Sequence, residues 1–214
     1  MNFDRVAPHY RWLETIVFGD ELQQARTAFV RRIRPPRRVL VAGEGNGRFL
    51  AEFVKVHAGA AVDCVEGSAR MIALARDRLG KAKVRFECAD IRDAKLPEAS
   101  YDLVVTHFFL DCFDDATLPD VVAKLARSAT TDAQWLIADF SPPADGWKRL
   151  HARSLIALMY WFFRAVAGLE ARCLIDYHPS LSRQGFARQG EIISANQMIR
   201  SELWQRDPTP RDRV

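Results

Sequence analysis

The sequence predicts an α/β fold, with a doubly wound, mostly parallel seven-stranded sheet between two helical layers and an antiparallel hairpin at its C-terminal end. Three observations predict it. Apolar, β-branched segments alternate with amphipathic helical segments five times, as in parallel strands joined by right-handed crossovers. A glycine-rich loop follows the first strand. Two strand-like segments, 186–193 and 198–204, are joined by a short turn and end the pattern.

The N-terminal segment is aromatic-rich and precedes the sheet. We expect residues 1–34 to form a helical lid or cap, or simply an N-terminal core helix, on a single domain over 35–206, with 207–214 as a flexible tail. Asp20 can cap a helix that packs on the sheet. Its apolar residues recur at helical spacing: Leu22, Ala25, Phe29, Val30 and Ile33.

The first strand and the loop after it organise the rest of the chain. Residues 39–41 are apolar and largely β-branched, which suits a strand buried on both faces. Gly43, Gly45 and Gly47 then occupy alternate positions. Glycine tolerates positive φ and has no Cβ, so a ligand can lie against bare backbone. The free N–H groups of the next helix suit an anion; a tight turn without a ligand is the alternative.

The following elements are predicted in the same way. Residues 61–65 form the second strand, and Ser68 caps a helix that stops at Gly80. The other predicted elements are strands over 83–88, 101–108 and 134–140, and a helix over 117–127. Two helix faces are predicted to be apolar: Phe49, Leu50, Phe53 and Val54 after the glycine loop, and Met71, Ile72, Leu74, Ala75 and Leu79 after Ser68.

Composition limits the class of protein. Hydrophobic residues make up 49% of the chain and charged residues 27%, as in ordinary globular proteins. The four cysteines form no Cys-x-x-Cys pair, and Cys64 and Cys88 lie in strands, where we expect buried thiols. No signal-peptide pattern opens the chain, so we expect a reducing cytoplasm and no metal site. The net charge is +4, and the arginines of 31–38 suggest a solvated helix end rather than a nucleic-acid patch.

One apolar run, LIALMYWFF over residues 155–163, is too short to span a bilayer. A helix that is apolar on all sides is normally buried. We therefore consider three roles for it: a core helix or a cover over the substrate, a contact in a homodimer, and docking on a membrane surface.

Candidate site residues follow the carboxyl ends of successive strands, where ligands bind in open α/β sheets. Glu66 follows Gly47 by 19 residues, the range in which a carboxylate binds both ribose hydroxyls; the alternative is that it only starts the Ser68 helix. Asp90 could bind an adenine amino group while Ile91 covers the ring, or be a plain turn residue. His107 and Asp111 follow the fourth strand.

The motifs carry a family resemblance. A nicotinamide-binding loop needs glycine at position 48, which holds Arg48. GEGNGR, VEGSARMI, ADIRD and YDLVVTHFFLDCF resemble the class I S-adenosylmethionine-dependent methyltransferases, and the ending SELWQR fits the antiparallel last strand of that Rossmann-like fold. The opening FDRVAPHYRWLE is loosely similar to quinone-type C-methyltransferases. Where the family commonly carries an acidic residue before the first glycine, this chain has Val41.

The resemblance implies a cofactor arrangement. The methionine moiety of S-adenosylmethionine would lie over Gly43 to Gly47, with Glu44 partly replacing the acid missing at 41. The ribose would lie on Glu66, and the adenine between Gly67, Asp90 and Ile91.

Roles for the remaining candidates stay open. His107 is the best-placed base, or a cofactor-facing or structural histidine. Asp111 would bind a polar acceptor, steady His107 or cap the next helix. Tyr10 and Tyr160 close the site or belong to the core.

These features predict a methyltransferase that acts on a small, partly hydrophobic acceptor. There is no Asn/Asp-Pro-Pro-Tyr/Phe motif and no Pro-Cys nucleophile, so a nucleic-acid target is disfavoured. Two alternatives remain: a binding protein that keeps the cofactor pocket without catalysis, and an NAD-dependent oxidoreductase.

Overall fold

The computed structural model describes residues 20–141, 175–194 and 198–207. Its seven-stranded sheet has the order β3-β2-β1-β4-β5-β7-β6. Strands β1 to β5 are parallel, while β7 runs antiparallel to β5 and to β6. The predicted architecture is therefore confirmed. The strands are β1 (Arg38–Ala42), β2 (Ala61–Glu66), β3 (Val84–Cys88), β4 (Tyr101–His107), β5 (Ala129–Phe140), β6 (Phe186–Ser194) and β7 (Ile199–Arg206).

Five α-helices lie in the described part of the chain. They are α1 (Glu21–Thr27), α2 (Arg48–Val56), α3 (Ala69–Leu79), α4 (Leu118–Ser128) and α5 (His178–Arg183). A short 3₁₀ helix, Leu110–Cys112, follows β4. None of these helices is long and apolar enough to cross a membrane.

The strand order reverses between β1 and β4. From β1 the chain moves outward to β2 and β3, then returns to place β4 on the other side of β1. The carboxyl ends of the two central strands are level, since Ala42 is in register with Thr106. The chain continues from β1 toward β2 and from β4 toward β5, on opposite sides, and such a reversal is where ligands bind in open α/β sheets.

Both faces of the sheet are buried. Along β4, Val104 belongs to the cluster under α4 and α5, whereas Leu103 and Val105 belong to the cluster under α2 and the residues after α1. Burying one such side chain stabilises the fold by about 1.5–3 kcal/mol. This two-sided burial fixes the ends of β1 and β4, and hence the crevice.

The C-terminal hairpin is fixed by a buried carboxylate. Glu202 is fully buried and accepts hydrogen bonds from Tyr177, His178, Arg188 and Trp204 at 2.9–3.0 Å. Burial alone raises the pKa of Glu202, but the bonds from His178, Arg188 and Trp204 outweigh it and lower the pKa to about 2. The ionised carboxylate therefore joins α5 to both strands of the hairpin.

Several local predictions were wrong. Asp20 makes no capping bond, because its carboxylate is directed toward Arg48, 3.9 Å away. Leu74 was predicted to lie on the buried face of α3 but is 40% exposed. The helix packs on β2 and β3, and its buried face is confined to Met71, Ile72 and Ala75. Cys88 is exposed because β3 is an edge strand.

Other predictions hold or lie outside the described residues. The five apolar residues predicted for the first helix are all buried, but the helix ends at Thr27, so Phe29, Val30 and Ile33 lie in the turns after it. The fifth strand begins at Ala129, five residues earlier than predicted. The described residues include neither 1–19, nor the apolar run 155–163, nor the tail from 208 onward.

The Ser68 cap gives a stability prediction. The Ser68 hydroxyl accepts a hydrogen bond from the Met71 N–H at 3.1 Å, as predicted. Ser68→Ala should therefore lower the free energy of unfolding by about 1 kcal/mol, measured by urea denaturation.

The matched control is Thr117→Ala. Thr117 precedes α4, and its side chain makes no capping bond. Its substitution should change stability by less than about 0.5 kcal/mol. Equal losses in the two variants would contradict the role of Ser68 as a cap.

Candidate functional site

The loop between β1 and α2 adopts a conformation that favours glycine. Gly43, Gly45 and Gly47 have φ angles of 71°, 68° and 81°, all in the left-handed region. The Gly43 N–H donates to the Val65 carbonyl at 2.9 Å, so the loop begins while still bonded to β2. The strand-to-helix turn predicted from the sequence is present.

Two of these glycines are also required by packing. A Cβ on Gly43 would overlap the Phe109 ring, with Cε2 at 2.9 Å and Cδ2 nearer still. A Cβ on Gly47 would lie 2.8 Å from Cα of Ala75 in α3. A Cβ on Gly45 would meet nothing within 4 Å. Gly45 therefore leaves open space above the loop, while Gly47 allows α2 and α3 to approach closely.

Glu66 ends β2 and connects two loops. Its Oε2 accepts from the Gly45 N–H at 2.9 Å, and its Oε1 accepts from the Ser68 N–H at 3.0 Å. The residue is 7% exposed and lines the cavity beside the glycine loop. A carboxylate has about four acceptor positions. Glu66 thus holds the loop at the edge of the cavity, where the hydroxyl groups of a ligand could donate to it.

A cavity of about 200 Å³ lies at the switch point of the sheet. It brings together six of the residues predicted to bind the cofactor, and these are Gly43, Gly45, Glu66, Gly67, Asp90 and Ile91. Its remaining lining is mostly apolar, with Val65, Met71, Ala89, Phe108, Phe109, Cys112 and Phe113. The cavity is thus polar at the β1 and β2 ends and aromatic beside the loop that follows β4.

Asp90 and Ile91 form the wall beyond β3. The Asp90 carboxylate is paired with Arg92, whose Nη2 lies 2.6 Å from Oδ2, and it also accepts from the Arg92 backbone N–H at 2.9 Å. The hydrogen bond from the Arg92 side chain lowers the pKa of Asp90, which is thus held as an anion. Ile91 is 4% exposed and presents an aliphatic surface to the cavity.

Glu44 turns away from the cavity. Its Oε1 accepts from the Leu50 N–H at 3.1 Å, in the first turn of α2. Burial of its carboxyl group raises the pKa of Glu44 to about 8, and the charge of Glu66 adds to the increase. The described geometry makes Glu44 a cap of α2 that is protonated near neutral pH.

His107 lies behind the cavity. It is buried and packs edge-on against Phe49, with ring centroids 4.7 Å apart. Burial and, to a smaller extent, the charge of nearby Arg26 lower the pKa of His107 to about 3, so the imidazole is neutral. Its Nδ1 has no hydrogen-bond partner. The ring does not line the cavity as described.

Asp111 is placed in the 3₁₀ helix after β4. It is 9% exposed, and its carboxylate lies near Asp139 and the Cys112 thiol. Asp114, rather than Asp111, makes the bond that begins α4.

Tyr10 and Tyr160 lie outside the described residues. Within the ranges that the structure describes, no three His, Cys, Asp or Glu residues are grouped so that they could hold a metal ion.

Sequence reasoning missed the aromatic wall. Phe108, Phe109 and Phe113 line the cavity, together with Cys112. Phe108 has a φ of 52°, which is uncommon for a residue with a bulky side chain. The aromatic content of THFFLDCF at the end of a central strand was the available signal. The unusual φ of Phe108, which sets where these side chains point, leaves no mark in the sequence.

Comparison with known proteins finds similarity to methyltransferases. Residues 39–132 match a family model described as "Methyltransferase domain". A malonyl-[acyl-carrier protein] O-methyltransferase from Anoxybacillus flavithermus is 31% identical over 119 residues, which are 55% of this chain and 44% of that protein. The chain spans less than half the length of the curated relatives that it matches.

Solved structures share the fold. A 1,6-didemethyltoxoflavin-N1-methyltransferase from Burkholderia thailandensis, with bound 1,6-didemethyltoxoflavin and S-adenosylhomocysteine, superposes with a TM-score of 0.63 at 16% identity, over 94% of this chain and 87% of that one. The magnesium protoporphyrin IX methyltransferase from Synechocystis, with bound S-adenosylhomocysteine, gives 0.61 at 17% identity, over 87% and 82%. At such identities the similarity shows the fold alone.

The glycine loop predicts unequal effects of alanine. Gly43→Ala and Gly45→Ala both place a side chain at positive φ, at a cost of about 1–2 kcal/mol. Gly43→Ala must also displace the Phe109 ring, which typically adds about 1–3 kcal/mol. Chemical denaturation should therefore show a larger loss of stability for Gly43→Ala. Losses that agree within about 0.5 kcal/mol would contradict the described contact with Phe109.

Glu44 predicts a pH dependence of stability. In the unfolded chain its carboxyl titrates near 4.5, whereas in the folded protein it keeps its proton to about pH 8. The folded state therefore binds more protons between these values, so the Glu44 contribution to the free energy of unfolding should fall as pH rises from 4.5 to 8.

Glu44→Gln cannot titrate, and its unfolding free energy should fall less across the same pH range. The matched control is Glu52→Gln, a substitution on the exposed side of α2 that should leave the slope of the wild type unchanged. A Glu44→Gln variant with the wild-type slope would rule out a buried, protonated Glu44.

Proposed function

Because the chain carries a class I S-adenosylmethionine-dependent methyltransferase domain, we propose that it transfers a methyl group from S-adenosylmethionine to a small, partly hydrophobic acceptor. The observation that carries the proposal is the cavity in which the glycine loop, Glu66 and Asp90 meet at the switch point of the sheet. These groups match the chemistry of an adenosyl cofactor, with bare backbone for the methionine moiety and a carboxylate for the ribose diol.

The cofactor supplies an activated methyl group on a sulfonium. In the proposed arrangement, the methionine moiety lies along the backbone of Gly43 and Gly45, with open space at Gly45, and Glu66 accepts bonds from the ribose hydroxyls while it holds the Gly45 N–H. Ile91 would cover the adenine, and Asp90 would accept from the adenine amino group beside its pair with Arg92. Glu44 and Gly47 would support this arrangement through the shape of the loop and the start of α2.

Methyl transfer is an in-line displacement, so the protein acts mainly by holding the acceptor atom, the methyl carbon and the sulfur in line. A base is needed only when the acceptor lone pair carries a proton. His107 is proposed as that base, although its lowered pKa makes it a weak one and it does not line the cavity. Asp111, Tyr10 and Tyr160 are proposed to act on the acceptor side.

The aromatic wall supports a partly hydrophobic acceptor. Phe108, Phe109 and Phe113 supply most of the apolar surface beside the loop after β4. A second candidate comes from the relatives, which are described as O-methyltransferases of malonyl-[acyl-carrier protein]. A malonyl thioester therefore belongs in any acceptor panel.

We further propose that residues 35–206 act as one domain in the cytoplasm, with residues 1–34 covering it, and that the acceptor is not a nucleic acid. Two assays separate the alternatives. Calorimetry with S-adenosylmethionine and NAD distinguishes a methyltransferase-type pocket from an oxidoreductase. Release of S-adenosylhomocysteine with an acceptor panel distinguishes an enzyme from a binding protein.

Glu66 provides the mutational test. Glu66→Ala should weaken S-adenosylmethionine binding by about 10- to 100-fold, because two charge-assisted hydrogen bonds to the ribose are lost. Glu66→Gln keeps an acceptor for the Gly45 N–H and should weaken binding less. The matched control is Glu87→Ala, on the exposed side of β3, which should bind as the wild type does. An unchanged dissociation constant in Glu66→Ala would refute the proposed position of the ribose.

A further inference from the structure

The loop after β4 places an aromatic ring next to the glycine loop. Phe109 lies just beyond the end of β4, which is the neighbour of β1 in the sheet. Its ring lies directly against Gly43 and lines the same cavity as Gly45 and Glu66. A cofactor that places its methionine moiety on Gly43 and its ribose on Glu66 must carry its sulfur between them. Phe109 is the aromatic side chain in contact with Gly43 at this point.

The turn that holds Phe109 is strained and is braced by several groups. Phe108 has a φ of 52°. The Arg26 guanidinium lies 5.0 Å from the centre of the Phe108 ring, and the Phe140 ring lies 5.1 Å away on centroids. The Phe108 N–H donates to the Ala138 carbonyl of β5 at 2.6 Å, and the buried Asp139 carboxylate lies near the turn. Strained backbone persists only where its surroundings over-determine it, and it is concentrated at functional sites.

A second contact fixes the ring itself. Phe109 packs edge-to-face against Phe113, with centroids 5.2 Å apart, and Phe113 is 1% exposed. A ring held between a buried aromatic and a bare glycine has little freedom to turn away from the cavity. The ring therefore offers a preorganised aromatic surface to a ligand in the cavity.

The chemistry of the cofactor gives such a ring a selective effect. S-Adenosylmethionine carries a positive sulfonium, whereas the product S-adenosylhomocysteine carries a neutral thioether of nearly the same shape. An aromatic ring attracts a nearby cation through its quadrupole, and the attraction grows when the cation is desolvated. Packing against the ring favours both molecules, while the cation–π attraction favours S-adenosylmethionine alone.

We infer that Phe109 recognises the charge of the sulfonium and so makes the site prefer the methyl donor over its demethylated product. The inference rests on the proposed function and deepens it. It assigns the discrimination between the charged donor and its neutral product to a side chain of the loop after β4, rather than to the glycine loop or to Glu66. Because Glu66 also attracts a cation, and is unchanged in any variant of Phe109, a selective effect of substituting Phe109 would come from the ring.

The test measures binding of three adenosyl ligands by calorimetry, which needs no acceptor. They are S-adenosylmethionine, S-adenosylhomocysteine and sinefungin, in which an ammonium group replaces the methyl sulfonium. The protein variants are the wild type, Phe109→Leu, Phe109→Met and Phe109→Tyr. Phe86→Leu is the matched control, because Phe86 is an aromatic residue of the edge strand β3, is partly buried and does not line the cavity.

Phe109→Leu and Phe109→Met should weaken binding of the two cationic ligands by about 3- to 30-fold, and binding of S-adenosylhomocysteine by less than about 2-fold. Phe109→Tyr keeps the ring and should keep the wild-type preference, as should Phe86→Leu. Circular dichroism shows whether each variant is folded. If Phe109→Leu does not fold, Phe109→Met takes its place, because Met is close to Phe in size.

Equal weakening of all three ligands in the Leu or Met variant would show that the ring acts by packing alone and would overturn the inference. So would unchanged binding of the cationic ligands. In both cases the proposed function would stand, because the wild type still binds adenosyl ligands. A wild type that binds none of the three would overturn the proposed function and the inference together.

Discussion

The site depends on the carboxylate of Glu66. Its two oxygens accept from the N–H groups of Gly45 and Ser68, and so join the loop after β1 to the start of the helix after β2. In the glycine loop the Gly43 N–H is bonded to Val65 of β2, whereas the Gly45 N–H needs another acceptor, because an unpaired buried donor is costly. Glu66 satisfies one of these donors from a neighbouring strand. The loop is therefore held open by the same side chain that is proposed to bind the ribose.

The rest of the site follows from how the sheet brings other loops to this carboxylate. β4 is the neighbour of β1, so the loop after β4 must pass beside the glycine loop. There the Phe109 ring occupies the space that a side chain at position 43 would need. The ring can therefore lie at this place only because residue 43 is a glycine. Substitution at either position would disturb the other. Gly47 differs from Gly43, because the Cβ that it lacks would contact α3 rather than the Phe109 ring.

The fold could be predicted from sequence because strand, helix and turn signals agreed along most of the chain. The pairing of Glu66 with the glycine loop also followed from spacing and topology. The sequence could not show that Glu44 turns back to α2, since a carboxylate in a loop has no periodic neighbours that fix its direction. It also could not show that Leu74 is exposed, because the width of a buried helix stripe depends on which strands the helix covers. The Phe108–Phe109 turn was missed because the groups around it, Arg26 of α1 and Asp139 and Phe140 of β5, are distant in the sequence.

The most direct test of the account is a crystal structure of the protein with S-adenosylhomocysteine. We expect ribose hydroxyls within hydrogen-bond distance of the Glu66 carboxylate, adenine against Ile91, and the sulfur beside the Phe109 ring. Density for the ligand at any other place on the protein, or a ribose turned away from Glu66, would contradict it.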